Sequence, residues 1–416
     1  MCLESDERRY TLCDDIEFDF RLRSDLVYRE PTTDMRVAVF GGGYAGVTLT
    51  RGLERRLGDD VELVLVDDTG EHLVQHELHR AIRRPSITDE IVLDLKSVVD
   101  RATVRTATVE SVDPESCTAT LDDATLEYDV GAVCLGAETA YYELPGVEER
   151  SMPLKRFAHA RRIRERYLDV LEAGDGRVVV GGAGLSGVQV AGELAALARE
   201  EGAPVGDDIA LVLLEQTPTV APGFDEPFQS AVREQLEQRG VDVRTDHTVT
   251  EATDDTIAFE SHESISYDQF VWTGGIRGPA VMAGDRPTVD GRLRLSNRTF
   301  VLGDTARVTD VDGEAVPASA QAAVREARTA ANNIERLVEH ERNGGTFEPR
   351  LQQFGFDSPG WLVSIGDGAV AQVGPTVLTG RAAIALKTTV GVGYLSAVGG
   401  IREAVDLVND ELDLEV

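Results

Sequence analysis

Two stretches of this sequence place glycine where a backbone must come close to something bulky and negatively charged. Gly41-Gly42-Gly43-Tyr44-Ala45-Gly46 follows the apolar run Met35–Phe40 and precedes a helical pattern over 47–57. Gly182-Ala183-Gly184-Leu185-Ser186-Gly187 follows the apolar run 177–181 and precedes a helical pattern over 188–199. In a strand, GxGxxG, helix unit, the first glycine makes a tight turn and the second lets the backbone approach a pyrophosphate. The third lets the helix pack on the strand, and the helix N-terminus turns its positive dipole end to the phosphates. Each unit continues into a second strand that ends in an acid, 61–66 before Asp67 and 209–214 before Glu215, placed to accept from a ribose hydroxyl. Glu215 would repel a 2′-phosphate, and Gln216 and Thr217 supply no arginine to hold one, so NAD is favoured over NADP. Two such sites suit hydride transfer between a resident redox cofactor and a diffusible donor.

The elements around these loops give an α/β fold with two Rossmann-like dinucleotide-binding domains. At 416 residues, 42% of them hydrophobic, the chain is long enough for two or more cores. Acidic residues outnumber basic ones, 74 to 41, for a formal charge of −33. That excess excludes nucleic acid as a partner. The acid is spread along the chain in pairs such as Asp59-Asp60, Asp122-Asp123 and Asp254-Asp255, which predicts a solvated, halophilic surface rather than one docking face. Four cysteines, at 2, 13, 117 and 134, form no close pair, which points to a reducing cytoplasm and against a disulfide framework. Residues 1–34 are polar and unpatterned, lack the apolar centre of a signal peptide, and are expected to be a disordered extension. No run of about 18 apolar residues predicts a transmembrane helix. The seven histidines lack ligand spacing; His72, His76 and His79 could share one helix face, but no metal is expected.

With these motifs in place, the chain resembles the two-dinucleotide-binding-domain flavoproteins, and among them the type II NADH dehydrogenases. The resemblance runs from about 35 to about 371. It rests on both glycine loops, Tyr128-Asp129 leading to Gly136, Leu144-Pro145-Gly146, Ala221-Pro222-Gly223-Phe224-Asp225, Val271-Trp272-Thr273-Gly274-Gly275, Val301-Leu302-Gly303-Asp304, and Pro317-Ala318-Ser319-Ala320-Gln321. The resemblance implies that FAD sits on the first loop, NADH on the second, and that electrons pass from NADH through FAD to a quinone. Gly303-Asp304, which by itself ends an apolar strand in either a turn cap or a ligand, is put by the resemblance on the flavin ribityl hydroxyls. A long helix from Pro317 to Gly344-Gly345 is predicted from its apolar spacing. By resemblance it aims its N-terminus at the flavin, and Gln321 lines the quinone site; the plain alternative for Gln321 is a surface helix residue.

Three departures from the family stand out. Gln189 replaces the glutamate usual near nicotinamide and flavin, while the later Glu193 is kept, and a glutamine cannot relay a proton. Arg325 replaces a glutamine four residues after Gln321, where it either binds an acidic acceptor or points to solvent. The stretch 376–401, rich in Gly, Ala and Val with Arg381, Lys387 and Tyr394, replaces an aromatic and basic membrane-binding helix. It is either buried against the protein or a dimer mate, or in peripheral contact with the inner face of the cell membrane. Residues 71–82, read as the helix before the flavin, lack the CxxxxC pair of the disulfide reductases, and Cys134 reads as a buried strand residue rather than a redox thiol.

The expected arrangement is an FAD domain at 35–150 and 277–345, an NADH domain inserted at 151–276, and a C-terminal segment from 346 that closes the FAD side. The rival functions are a soluble reductase of a protein electron carrier and a non-catalytic FAD/NAD-binding sensor.

Overall fold

The computed structural model describes residues 35–206, 208–344 and 347–398. The expected 1–34 extension lies outside them.

Apolar, β-branched runs such as Met35–Phe40 cannot leave either face in water, so they pair in parallel and are covered on both sides. The first sheet has five parallel strands in the spatial order Thr299–Val301, Val130–Val133, Met35–Phe40, Val61–Asp67 and Thr103–Thr106. The second has four, in the order Asp242–Arg244, Ile209–Leu214, Gly176–Gly181 and Gln269–Trp272. The layout repeats. Each sheet is entered at the glycine-loop strand, and before its last parallel strand or pair the chain makes a three-stranded antiparallel excursion, 109–127 in the first unit and 249–266 in the second. Strand Thr299–Val301 returns to the first sheet only after the whole second unit has been laid down, so the first sheet is discontinuous in sequence. At the crossing, Glu138–Thr139 pairs antiparallel with Ile276–Arg277.

Helix α1 (Tyr44–Glu54) and helix α2 (Leu185–Glu200) follow the two loops. The long helix α3 (Ala320–Arg342) begins three residues after Pro317, capped by Ser319, whose Oγ accepts from the Ala322 N–H at 3.2 Å. It lies against α1 where both are small: a Cβ added to Gly52 would stand 3.2 Å from the Ala331 Cβ. The C-terminal residues form an antiparallel sheet, Gly360–Ile365, Gly368–Val373 and Thr376–Thr379, followed by helix α4 (Gly380–Val398). This segment does more than close the first unit. Its first turn rests on α2, where Gly192 meets the backbone of Ile365 and Gly366, and Asp367 pairs with Arg199 and Arg239 of the second unit. Helix α4 then reaches back to the first unit.

Residues 71–82 are not one helix. Glu71–Leu73 is a short strand paired with Val92–Asp94, and only Gln75–Ile82 is helical, as a 3₁₀ segment. Strand pairing fixes His72 on the buried side, against the glycine loop.

Candidate active site

The two glycine loops are built alike, down to single hydrogen bonds. Gly41 N–H donates to the Val66 carbonyl at 2.7 Å, and Gly182 N–H to the Leu214 carbonyl at 2.9 Å. Gly41 has φ +106° and Gly182 φ +94°, a region costly for any side chain. A Cβ on Gly46 would stand 1.7 Å from the Gly41 carbonyl oxygen, and one on Gly187 1.8 Å from that of Gly182. Gly43 and Gly184 differ: an added Cβ would meet nothing within 4 Å at either. Each is the residue that opens its helix, so an open concavity lies over the N-terminus of α1 and of α2. That is the space a pyrophosphate needs, with a partial positive charge behind it.

The two strand-end acids lock these turns. Asp67 accepts from Gly42 N–H at 2.7 Å through Oδ2, and from the Thr69 and Gly70 N–H groups through Oδ1. Glu215 accepts from Ala183 N–H at 2.9 Å through Oε2 and from Thr217 N–H and hydroxyl through Oε1. A carboxylate offers about four acceptor sites, so Glu215, with three bonds, keeps one for a ribose hydroxyl, whereas Asp67 Oδ1 also takes the Thr69 hydroxyl at 2.7 Å and only Oδ2 keeps room.

Gly303 and Asp304 form a tight 3₁₀ turn with Thr305, Gly303 at φ +68°. Its N–H donates to Glu326 Oε2 at 2.6 Å, and Arg286 ties its far side by donating to the Asp304 and Ala306 carbonyls, both at 2.7 Å. Asp304 opens on a recess with Pro317, Ser319 and Ala322 at the start of α3. Glu326 is buried, and burial, with Asp304 nearby, pushes its carboxyl up to about 7 despite the Gly303 hydrogen bond. It escaped the sequence reading, although a charged residue within the buried alanine stripe of α3 was a signal. Gly136, at φ +68°, also has open space around its α-carbon. Gly274 is covered by the ring of Trp272, whose indole N–H donates to the Ala140 carbonyl at 2.8 Å.

Gln321 and Arg325 lie one turn apart on α3. Gln321 Oε1 receives the Ser358 hydroxyl at 3.4 Å. Arg325 donates to the Asp357 carbonyl and covers the Phe356 ring at 5.9 Å, so its guanidinium is held by the chain rather than turned to solvent. Gln189 lies elsewhere, in a recess of about 50 Å³ with Gln75, Leu78, His79, Leu154, Lys155 and Ser186. Lys155 links that recess to the first unit: burial lowers its ammonium's proton affinity, and Asp304 opposes the shift electrostatically.

Behind the recess is a buried charge cluster invisible to hydrophobic periodicity. Glu77 meets Arg80 at 3.2 Å, Lys387 of α4 at 3.3 Å and His76 at 3.4 Å. Burial disfavours its charge, but Lys387, His76 and Arg80 outweigh burial and hold the carboxyl well below the usual range. Nearby, Tyr394 of α4 stands 2.9 Å from His72 Nε2, and His72 Nδ1 stands 2.8 Å from the Gly42 carbonyl. A carbonyl only accepts, so Nδ1 carries the proton and the Tyr394 hydroxyl donates to Nε2. Burial pushes His72 down to about 4, which keeps that neutral form. Helix α4 is thus fastened to the first glycine loop through two side chains.

The sequence pattern of the pyridine nucleotide-disulphide oxidoreductases matches residues 35–327. The chain belongs to that family. Type II NADH:quinone oxidoreductase from Staphylococcus epidermidis is 24% identical over 396 residues, covering 88% of this chain and 96% of that protein. Among solved structures, NDH2 from Plasmodium falciparum in complex with NADH is similar at a TM-score of 0.76 and 15% identity, over 91% of this chain and 98% of the other. Sulfide:quinone oxidoreductase from Aquifex aeolicus aligns at 0.73 and 19%, over 92% and 96%.

Among the described residues, the two thiols differ from those of family members that work through a disulfide. Cys134 is buried, and burial pushes its thiol far up. Cys117 is half-buried and also raised, chiefly by burial. Neither favours the nucleophilic thiolate. The FAD implied by the resemblance fits the residues present: the open cradle over Gly43, the strand-end Asp67 and the Asp304 turn lie along one edge of the first sheet.

Proposed function

We propose that this chain is an NADH dehydrogenase that holds FAD on Gly41 to Gly46, binds NADH on Gly182 to Gly187, and passes electrons to a quinone. Bound FAD supplies the ability to take a hydride and release its two electrons to a second acceptor. The protein's share is position and exclusion of water. Asp67 and the α1 N-terminus hold one dinucleotide, Glu215 and the α2 N-terminus the other, and Asp304 sits where the ribityl chain would run. In this reading the FAD domain comprises 35–150 and 277–345, and the NADH domain 151–276.

The observation that carries the proposal is the recess at the head of the second-loop helix. There Lys155, Ser186 and Gln189 of the second unit meet Gln75, Leu78 and His79 of the first, so the two cradles converge. In this reading Gln321 and Arg325, at the head of α3, form one wall of the acceptor site and the Gln189 recess forms the other. No described helix is long and apolar enough to cross a membrane. In this reading a bilayer quinone is met at the inner face of the cell membrane, with the outward side of α4, where Val390 is exposed, turned toward it.

The test is anaerobic mixing of the flavin-loaded protein with NADH or NADPH, followed by a short-chain quinone. NADH should bleach the flavin absorbance within seconds, NADPH far more slowly, and quinone should restore the colour. Persistent colour with NADH would leave only a binding role, and bleaching reversed by a carrier protein but not by quinone would replace the acceptor.

A further inference from the structure

Replacing glutamate by Gln189 removes a proton carrier from the recess at the head of α2, yet the reaction proposed above needs one. NADH gives up two electrons and one proton as a hydride, whereas reducing a quinone to a quinol takes two electrons and two protons. One proton per turnover must enter through the protein.

His79 lines the same recess as Gln189, and Glu193 lies one helical turn beyond Gln189 on α2. His79 is 2% exposed and Glu193 0%. His79 Nε2 and Glu193 Oε1 face each other at 3.9 Å, and neither atom has a hydrogen-bond partner. The second Glu193 oxygen is occupied by Arg83 Nε at 2.7 Å. Leaving a buried polar atom unpaired costs about 1–3 kcal/mol, and such atoms call for an explanation. The gap is longer than a hydrogen bond, but a small approach of the two side chains would let a single shared proton satisfy both, either as a carboxyl facing an imidazole or as an imidazolium facing a carboxylate.

We propose that His79 and Glu193 together carry the proton for quinone reduction at the Gln189 recess, with His79 the donor and Glu193 the store. The inference rests on quinone being the acceptor. In the step, an N–H bond of His79 breaks as an O–H bond forms on the quinone oxygen, His79 Nε2 takes the Glu193 proton, and one proton from water resets the pair. The surroundings favour this resting state. Burial lowers the proton affinity of the His79 imidazole, against the pull of Glu77, with Lys387, Arg80 and His76 adding to the lowering. Burial raises the affinity of Glu193, against Arg83, Lys387 and Arg80. Lys155 lines the same recess as His79. Both shifts move the shared proton toward Glu193, against the pull of Arg83 on its other oxygen.

The test compares flavin-loaded wild type, His79→Gln, Glu193→Gln, and His79→Gln combined with Gln189→Glu. Each is assayed with NADH and either a short-chain quinone or ferricyanide, which takes electrons and no proton. General acid catalysis contributes about 10²–10⁴-fold, so the quinone-to-ferricyanide rate ratio should fall about 100-fold or more in His79→Gln. It should recover in the double variant, where a carboxyl stands in the recess again. Infrared spectra of the resting protein at neutral pH should show a protonated carboxyl band that is lost in Glu193→Gln; this readout needs no turnover, and the variant keeps the acceptor for Arg83 if His79→Gln fails to fold. A wild-type ratio in His79→Gln, or no carboxyl band lost in Glu193→Gln, overturns the inference. Wild type that reduces ferricyanide but no quinone overturns the acceptor assignment instead, and the proton carrier with it.

Discussion

Gly43 and Gly46 share one loop, yet substitution should separate binding from folding. Gly43 has φ −74° and ψ −166°, which any residue adopts, and open space around its α-carbon, so Gly43→Val should fold normally while filling the space of a pyrophosphate. Purified Gly43→Val is expected to carry no FAD at an unchanged unfolding temperature; full flavin content would refute the assignment of the first loop. Gly46→Ala should instead fail to fold stably, because its methyl would meet the Gly41 carbonyl. Glu326 gives a second test, through pH. Its folded value of about 7 lies above the ordinary 4.5, so the folded state binds this proton more tightly. The resulting stability is present in full below about pH 4.5 and is lost as pH rises through 7. Glu326→Gln keeps the acceptor for the Gly303 N–H and cannot ionise. Thermal unfolding of the FAD-free proteins should agree near pH 4.5 and diverge above pH 7, the variant being more stable by roughly 3 kcal/mol, since a tenfold difference in proton affinity between folded and unfolded chain is worth about 1.4 kcal/mol. Parallel pH profiles would contradict the buried-carboxyl account.

Between elements, the most informative contact is the one that seats the C-terminal sheet on α2. Helix propensity alone says that Gly192→Ala should stabilise α2 by about 0.5–1 kcal/mol. The added Cβ, however, would stand 2.5 Å from Gly366 N and 2.6 Å from Ile365 Cα, both main-chain atoms of the turn that seats the sheet. Backbone cannot rotate aside as a side chain does, so overpacking, typically about 1–3 kcal/mol, should win. The expected outcome is a lower unfolding temperature and faster proteolysis within 347–379; a rise in unfolding temperature would show that the sheet yields freely. Contacts of this kind also mark where sequence reading stops. The central strands of both sheets and the starts of α1 and α2 were legible because apolar runs and glycine spacing are local signals. Residues 71–82 were not, since His72 is placed by strand pairing with Leu93, and Glu77, His79 and Arg80 are buried by pairing with one another and with distant residues. Tyr394 could be named as a feature of 376–401, but its partner His72 is 322 residues away in sequence.

Across the whole molecule, the charge of −33 acts against every one of these contacts. Exposed ion pairs such as Arg150–Asp254 at 2.7 Å and Arg161–Glu165 at 3.6 Å offset little of it, since such pairs are worth about 0–1 kcal/mol each. Salt weakens those pairs and the self-repulsion together. The repulsion sums over many like charges at long range, so it loses more when the screening length falls from about 10 Å at 0.1 M to about 3 Å at 1 M. The Glu77, Lys387, Arg83 and Glu193 cluster is shielded from ions by burial and should change little. Unfolding temperature is therefore expected to climb steadily with potassium chloride from about 0.1 M to above 1 M, with most of the gain at the lower end where screening changes fastest. Sucrose at matching osmolality should not reproduce the early rise, because it excludes itself from surface without screening charge. A flat or falling curve in potassium chloride would mean that the acidic surface is already compensated by its arginines, and the salt-adapted account of the composition would fail. NADH binding should follow the same dependence, because an anionic donor must approach this surface to reach Gly182 to Gly187, and the association rate with NADH, measured by stopped flow, should rise with salt over the same range.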